Sequence, residues 1–229
     1  MLKILACLLM LTDHIGLTFF PNDLWIRIIG RLAMPIFAYA IARGAYYTHD
    51  RKKYILRMAI LAVVSQVPFA FLVKSSLLGD LNICFTWLFT LLIIELWENK
   101  NLLKSLKYIF IGIIILITIF VRMDYGLYAV LLALLFYQFD IRTKRFIMIP
   151  LLYVIISFVP IATDLLQNFS MSNLPTYMFE AAIEFFSILS LIIIRYLGPY
   201  DKKLKINKYV FYYFYPVHIA IIVLVAHFL

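Results

Sequence analysis

A small set of ionisable and polar side chains stands within stretches otherwise apolar enough to cross a lipid bilayer. Asp13 and His14 lie in LLMLTDHIGL, Arg31 in IIGRLAMP, Asp124 and Tyr125 in RMDYGLYAV, and His218 in YYFYPVHIAI. An ionisable group in hydrocarbon is costly unless it is paired or neutral, so each is a candidate for chemistry rather than decoration. Histidine titrates nearest neutral pH and suits proton transfer. His14 follows Lys3 by 11 residues, about 16 Å at helical rise, and His218 follows Lys208 by ten, about 15 Å. Two histidines from opposite ends of the chain therefore share one depth near the bilayer midplane. Each also has a plainer reading: a hydrogen-bonded packing histidine, an Asp13–Arg31 pair that fastens two helices, an Asp124 that caps one.

The elements that must hold these groups follow from composition. Of 229 residues, 65% are hydrophobic, 17% aromatic and only 14% charged, with a mean hydropathy of +0.97. Globular domains are roughly half apolar and about a quarter charged. Disorder, a disulfide scaffold and a collagen-like repeat are excluded, and the bilayer is the expected solvent. At about 20 residues per crossing, nine apolar stretches emerge, roughly 2–20, 25–47, 54–73, 82–97, 106–121, 125–139, 146–167, 177–197 and 209–229. The expected fold is all-α: one membrane-embedded domain over 1–229, a polytopic bundle of about nine transmembrane helices. The first stretch carries Asp13 and His14 and lacks a small-residue cleavage site, so it reads as a span and not a signal peptide.

The formal charge of +9 could mark a nucleic-acid binder, but its distribution argues otherwise. Basic residues alternate by loop: Arg51, Lys52 and Lys53; Lys100, Lys104 and Lys107; Arg142, Lys144 and Arg145; Lys202, Lys203, Lys205 and Lys208. The intervening loops carry only Arg27, Lys74 and Arg122. The positive-inside rule then places the N-terminus in the cytoplasm and the C-terminus outside. Arg31 is left as the basic residue within the core. The hairpin RGAYYTHDRKKYILR gathers Arg43, Arg51, Lys52, Lys53 and Arg57. That cluster serves either as a topology determinant or as a landing site for an anionic cofactor.

Other features carry less. Asp80 and Asn82 open the fourth stretch; Glu180 and Glu184 share a helix face and read as a solvated outer vestibule. FYYFY at 211–215 reads as packing aromatics, with Pro216 interrupting the backbone ladder one turn before His218 and Pro35 one turn after Arg31. Cys7 and Cys84 fall on opposite membrane sides in this topology, which disfavours a disulfide, and no spacing points to a metal.

Taken together, LKILACLLMLTDHIG (2–16), IIGRLAMPIFAYAIARGAYYTHDRKKYILR (28–57), SQVPF (65–69), LNICFTWLF (81–89), DYGLYAVL (124–131) and FYYFYPVHI (211–219) resemble the TraX family of membrane proteins. Its named member is linked to N-terminal acetylation of F-type conjugative pilin. The chain departs at Arg43–Gly44, where the family often has an acidic residue. The resemblance implies an integral-membrane acetyltransferase of the bacterial cytoplasmic (inner) membrane. It would take acetyl groups from cytoplasmic acetyl-CoA to an acceptor amine, such as a pilin or peptide N-terminus, or a hydroxyl on another envelope molecule. N-transfer is favoured over O-transfer. In that reading His14, His218 and Asp13 are the catalytic candidates, with His14 as general base and His218 as second proton carrier or oxyanion donor, or the two histidines in exchanged roles. Arg43, Arg51, Lys52, Lys53 and Arg57 would hold acetyl-CoA; Arg31, Asp124, Tyr125 and Asn82 would hold the acceptor. The expected partners are acetyl-CoA, that acceptor and the lipid bilayer, with no nucleic acid and no metal. A proton-coupled transporter or a non-catalytic envelope or pilus assembly protein could use the same buried residues.

Overall fold

The computed structural model describes residues 1–139, 148–168, 185–198 and 207–228. In these, the elements are α1 (Leu2–Phe19), α2 (Leu24–Arg31), α3 (Ala33–Tyr47), α4 (Arg51–Leu72), α5 (Ile83–Glu98), α6 (Lys104–Phe120), α7 (Gly126–Gln138), α8 (Met148–Ile156) and α9 (Val159–Asn168). A short 3₁₀ turn, Ser187–Leu189, leads into α10 (Ser190–Leu197), and α11 (Lys208–Phe228) follows. The chain is thus an all-helical membrane protein. Leu2–Phe19, Leu24–Tyr47, Arg51–Leu72 and Tyr209–Phe228 are long and apolar enough to cross a bilayer. The remaining predicted stretches, where they fall on described residues, correspond to shorter helices; 177–184 of the eighth lies outside them. The stretch predicted at 146–167 is broken into α8 and α9 by a turn at Ser157–Phe158, just ahead of Pro160. Arg142, Lys144, Arg145, Lys202, Lys203, Lys205, Glu180 and Glu184 lie outside the described residues.

The helices begin where polar side chains can take up free amides. Asp23 Oδ1 accepts from the backbone N–H of Trp25 at 3.1 Å, Asp50 Oδ1 from Lys53 at 3.0 Å, and Asn82 Oδ1 from Cys84 at 2.9 Å. Each cap satisfies a donor the helix itself cannot. The Lys53 backbone N–H and ammonium hold the exposed Asp50 carboxyl below its ordinary range. Between α2 and α3 the axis breaks at Leu32, where Pro35 supplies no N–H for the Arg31 carbonyl. Pro216, in contrast, is absorbed within a continuous α11.

Burial runs opposite to that of a soluble helix. On α4, Tyr54, Met58, Ala62 and Phe69 are buried, while Leu56, Ile60, Val63, Val67 and Phe71 face outward. Both faces are apolar, so the outer one suits lipid. α1, α3, α4, α5, α7 and α11 enclose the buried core, with the closest pairings between α3 and α7, α1 and α2, and α4 and α5.

α1 and α2 meet with almost no space between them. A Cβ on Gly30 would stand 2.4 Å from Asp13 Cβ and 2.5 Å from Asp13 Cα. Because backbone blocks it, no rotamer relieves the clash. Gly30→Ala is expected to lose about 1–3 kcal/mol through forced separation of the two helices, seen as a lower unfolding midpoint in detergent.

Candidate functional site

His14 on α1 and His218 on α11 meet directly, with His14 Nδ1 2.8 Å from His218 Nε2. The ring planes are parallel to within 1° and the centroids 5.0 Å apart. A ring radius on either side of the 2.8 Å bond accounts for that separation, so the rings meet edge to edge. His218 Nδ1 lies 2.7 Å from the Phe214 carbonyl, which can only accept. In the neutral pair the tautomers follow: His218 Nδ1–H donates to Phe214, its Nε2 accepts from His14 Nδ1–H, and His14 Nε2 keeps its lone pair. That nitrogen has no hydrogen-bond partner among the described residues. His14 lines a cavity of about 400 Å³, which His218 does not. Both ring nitrogens of His218 are thus engaged, one by the α11 backbone and one by His14.

The cavity follows α1 from Lys3 to Leu17, about 21 Å at helical rise. One end is formed by Lys3, Thr48, Arg57 and Phe211, the other by Leu17, Arg27, Arg31, Asp124 and Tyr125. Cys7, Cys84, Met34, Trp87 and Tyr215 also line it, and both cysteines are free thiols. No group of three or more His, Cys, Asp or Glu among the described residues could hold a metal.

At the second end the pairing differs from the sequence expectation. Asp13 Oδ1 takes Arg27 Nη1 at 3.0 Å rather than Arg31. Arg27, predicted as a loop residue, has a side chain only 17% exposed, because α2 begins close beside α1 and the long side chain reaches inward. Arg31 Nη1 instead donates to the Tyr125 hydroxyl at 2.7 Å, its guanidinium 5.2 Å from the ring centroid. Tyr125 is held by an unusual backbone. Leu81 N–H donates to Arg122 at 3.0 Å and Asp124 N–H to Leu81 at 2.8 Å, forming a one-residue parallel bridge. Thr86 Oγ1 then donates to the Asp124 carbonyl at 2.9 Å. Tyr125 turns out of this bridge with φ 58°, a left-handed conformation uncommon for a side chain of this size.

Asn82 is fully buried but does not line the cavity. Its amide donates to Ala62 and Gln66, and its oxygen caps α5. It thus joins α4 to α5 rather than reaching an acceptor. Nor does the structure bring the five basic residues of the hairpin together. Arg43 stacks on Tyr46 and Tyr47 and donates to the Tyr47 hydroxyl. Arg51 pairs with Glu95 at 3.6 Å, Lys53 with Asp50 at 3.0 Å, and Lys52 is exposed. Of the five, only Arg57 lines the cavity.

Tyr215, which the aromatic run marks as a packing residue, lines the cavity beside His218, ring centroids 5.8 Å apart. Phe211, Tyr215 and His218 are spaced four and three apart and so share a helix face, a signal available in the sequence. The Tyr215 hydroxyl is buried beside the Ile83 backbone N–H at the start of α5.

The profile of the family described as "TraX protein" matches residues 1–226. A probable fimbrial assembly protein FimC, serogroup H1, of Dichelobacter nodosus is 25% identical over 240 residues, covering 96% of this chain and 92% of that one. An uncharacterized protein RP591 of Rickettsia prowazekii (strain Madrid E) is 37% identical over 83 residues, 36% of this chain and 32% of its own. No solved structure matches the chain significantly.

Proposed function

Because the chain belongs to the TraX family, we propose that it is an acetyltransferase of the bacterial inner membrane, moving acetyl from cytoplasmic acetyl-CoA to an acceptor amine. The observation that carries this reading is the His14–His218 pair, whose free His14 nitrogen stands on the wall of an elongated cavity. The Lys3 end faces the cytoplasm and the Arg31 end faces outward, in keeping with the alternation of basic loops. The fimbrial assembly protein among its relatives supports a surface-appendage subunit as the source of the acceptor N-terminus.

A cavity of about 400 Å³ does not enclose a whole acetyl-CoA. It suits the narrow thioester arm, leaving the nucleotide outside. In the reaction, a neutral acceptor amine attacks the thioester carbonyl while His14 Nε2 accepts the N–H proton. The C–S bond then breaks, and the same proton passes to the departing CoA sulfur. Amine and acetyl-CoA give amide and CoA, with no covalent enzyme intermediate. His218 fixes the tautomer that leaves Nε2 unprotonated. Tyr125, held by Arg31, and Asp124 line the end from which the acceptor enters. General base catalysis of this kind contributes about 10²–10⁴-fold.

Mass spectrometry of envelope proteins tests the assignment in cells. Deleting the gene should remove an N-terminal acetyl group from at least one exported subunit, and the parent gene should restore it. An unchanged set of acetylated termini would contradict the proposal.

A further inference from the structure

Two cations at the first end of the cavity differ from those of the basic hairpin. Lys3 and Arg57 form no ion pair among the described residues. Lys3 Nζ stands 5.7 Å from the Phe211 ring centroid and the Arg57 guanidinium 5.9 Å from that of Tyr54. Arg57 Nε is buried with no hydrogen-bond partner. Both residues line the cavity, on α1 and α4 respectively. By contrast Arg51 and Lys53 are neutralised by Glu95 and Asp50. Aromatic rings hold the two free cations in place without cancelling their charge. A partly buried guanidinium with an unmet donor is best satisfied by an oxyanion such as phosphate.

Distance adds a second constraint. From Lys3 to His14 along α1 is about 16 Å. The arm of CoA runs about twelve bonds from its diphosphate oxygen to its sulfur. An extended peptide covers three bonds in 3.3–3.6 Å, which gives the arm roughly 14 Å. A diphosphate held between Lys3 and Arg57 thus delivers the thioester to the depth of His14.

We propose that Lys3 and Arg57 form the diphosphate-binding mouth of this cavity, and that the donor is admitted there and not along the basic hairpin. The inference rests on the acetyltransferase reading and assigns its donor subsite.

The test compares two donors, acetyl-CoA and S-acetylpantetheine, which has the thioester arm but no phosphate. The chain is purified in nanodiscs, and extracted membranes from a strain lacking the gene supply the acceptor. Lys3→Gln/Arg57→Gln should raise the KM for acetyl-CoA by about 10- to 100-fold, as expected for lost charge-assisted contacts, with kcat kept at saturation. KM for S-acetylpantetheine should stay unchanged. Arg57→Lys guards against a folding defect, because it keeps the charge and should shift the acetyl-CoA KM only a few-fold. An equal shift for both donors would overturn the subsite. So would a larger rise from Lys52→Gln/Lys53→Gln than from Lys3→Gln/Arg57→Gln. Absence of transfer from either donor by the parent chain would instead refute the acetyltransferase reading, and this inference with it.

Discussion

His14→Gln is expected to lower acetyl transfer by about 10²–10⁴-fold while leaving the protein inserted and folded. Glutamine is close to histidine in reach, and its amide can still donate to His218 Nε2 across the present 2.8 Å contact. What it lacks is the basic lone pair that His14 Nε2 offers to the cavity. Initial rates at saturating acetyl-CoA measure the loss, and size-exclusion behaviour and the unfolding midpoint report on the fold. His218→Leu should also slow the reaction, because it removes the acceptor that fixes the His14 tautomer. The double variant should be little worse than His14→Gln alone, since His218 acts through His14 and such effects do not multiply. Multiplying losses would mean that His218 reaches the substrate by itself.

The second large effect concerns stability. Arg27→Gln is expected to destabilise the chain by about 3 kcal/mol, by leaving the Asp13 carboxylate without its partner in a low-dielectric site. The two side chains are only 17% and 13% exposed, so water can replace little of what is lost. Asp13→Asn/Arg27→Gln should recover much of that stability, since neither charge then stands alone. A double-mutant cycle on thermal unfolding in detergent measures the coupling. The Lys53–Asp50 pair, 75% and 43% exposed, provides the contrast. Lys53→Gln should cost far less than Arg27→Gln, because solvent screens an exposed pair. Similar losses at both sites would mean that Asp13–Arg27 is as wet as the surface pair.

The helical architecture was legible because a membrane helix must be apolar on every face, and the charges that interrupt it are few. The histidine pair could be read for a related reason: both residues count inward from basic helix ends, and helical rise converts count into depth. Their mutual orientation could not, because it depends on how α1 and α11 rotate against each other. Arg27 was misplaced because counting treats a residue as sitting at its backbone, whereas a guanidinium reaches several ångströms from it. The hairpin cations were grouped by adjacency in sequence. Asp50 and Glu95, the acids that neutralise two of them, come from a cap and from the far end of α5. Tyr215 shows a different gap. Aromatic runs are so common in membrane helices that only the helical phase relative to His218 separates a cavity residue from a lipid-facing one such as Tyr213.

Acetyl transfer through this cavity can be followed directly in proteoliposomes. The purified chain is reconstituted with acetyl-CoA, radiolabelled in its acetyl group, on one side and extracted envelope proteins from a strain lacking the gene on the other. A pH-sensitive dye reports proton movement. The expected result is labelled acetyl on an acceptor, stoichiometric release of CoA, and loss of both with His14→Gln. Acetyl-CoA that stays intact while the chain dissipates a proton gradient in a His14-dependent way would contradict acetyl transfer and identify the buried residues as a transport relay.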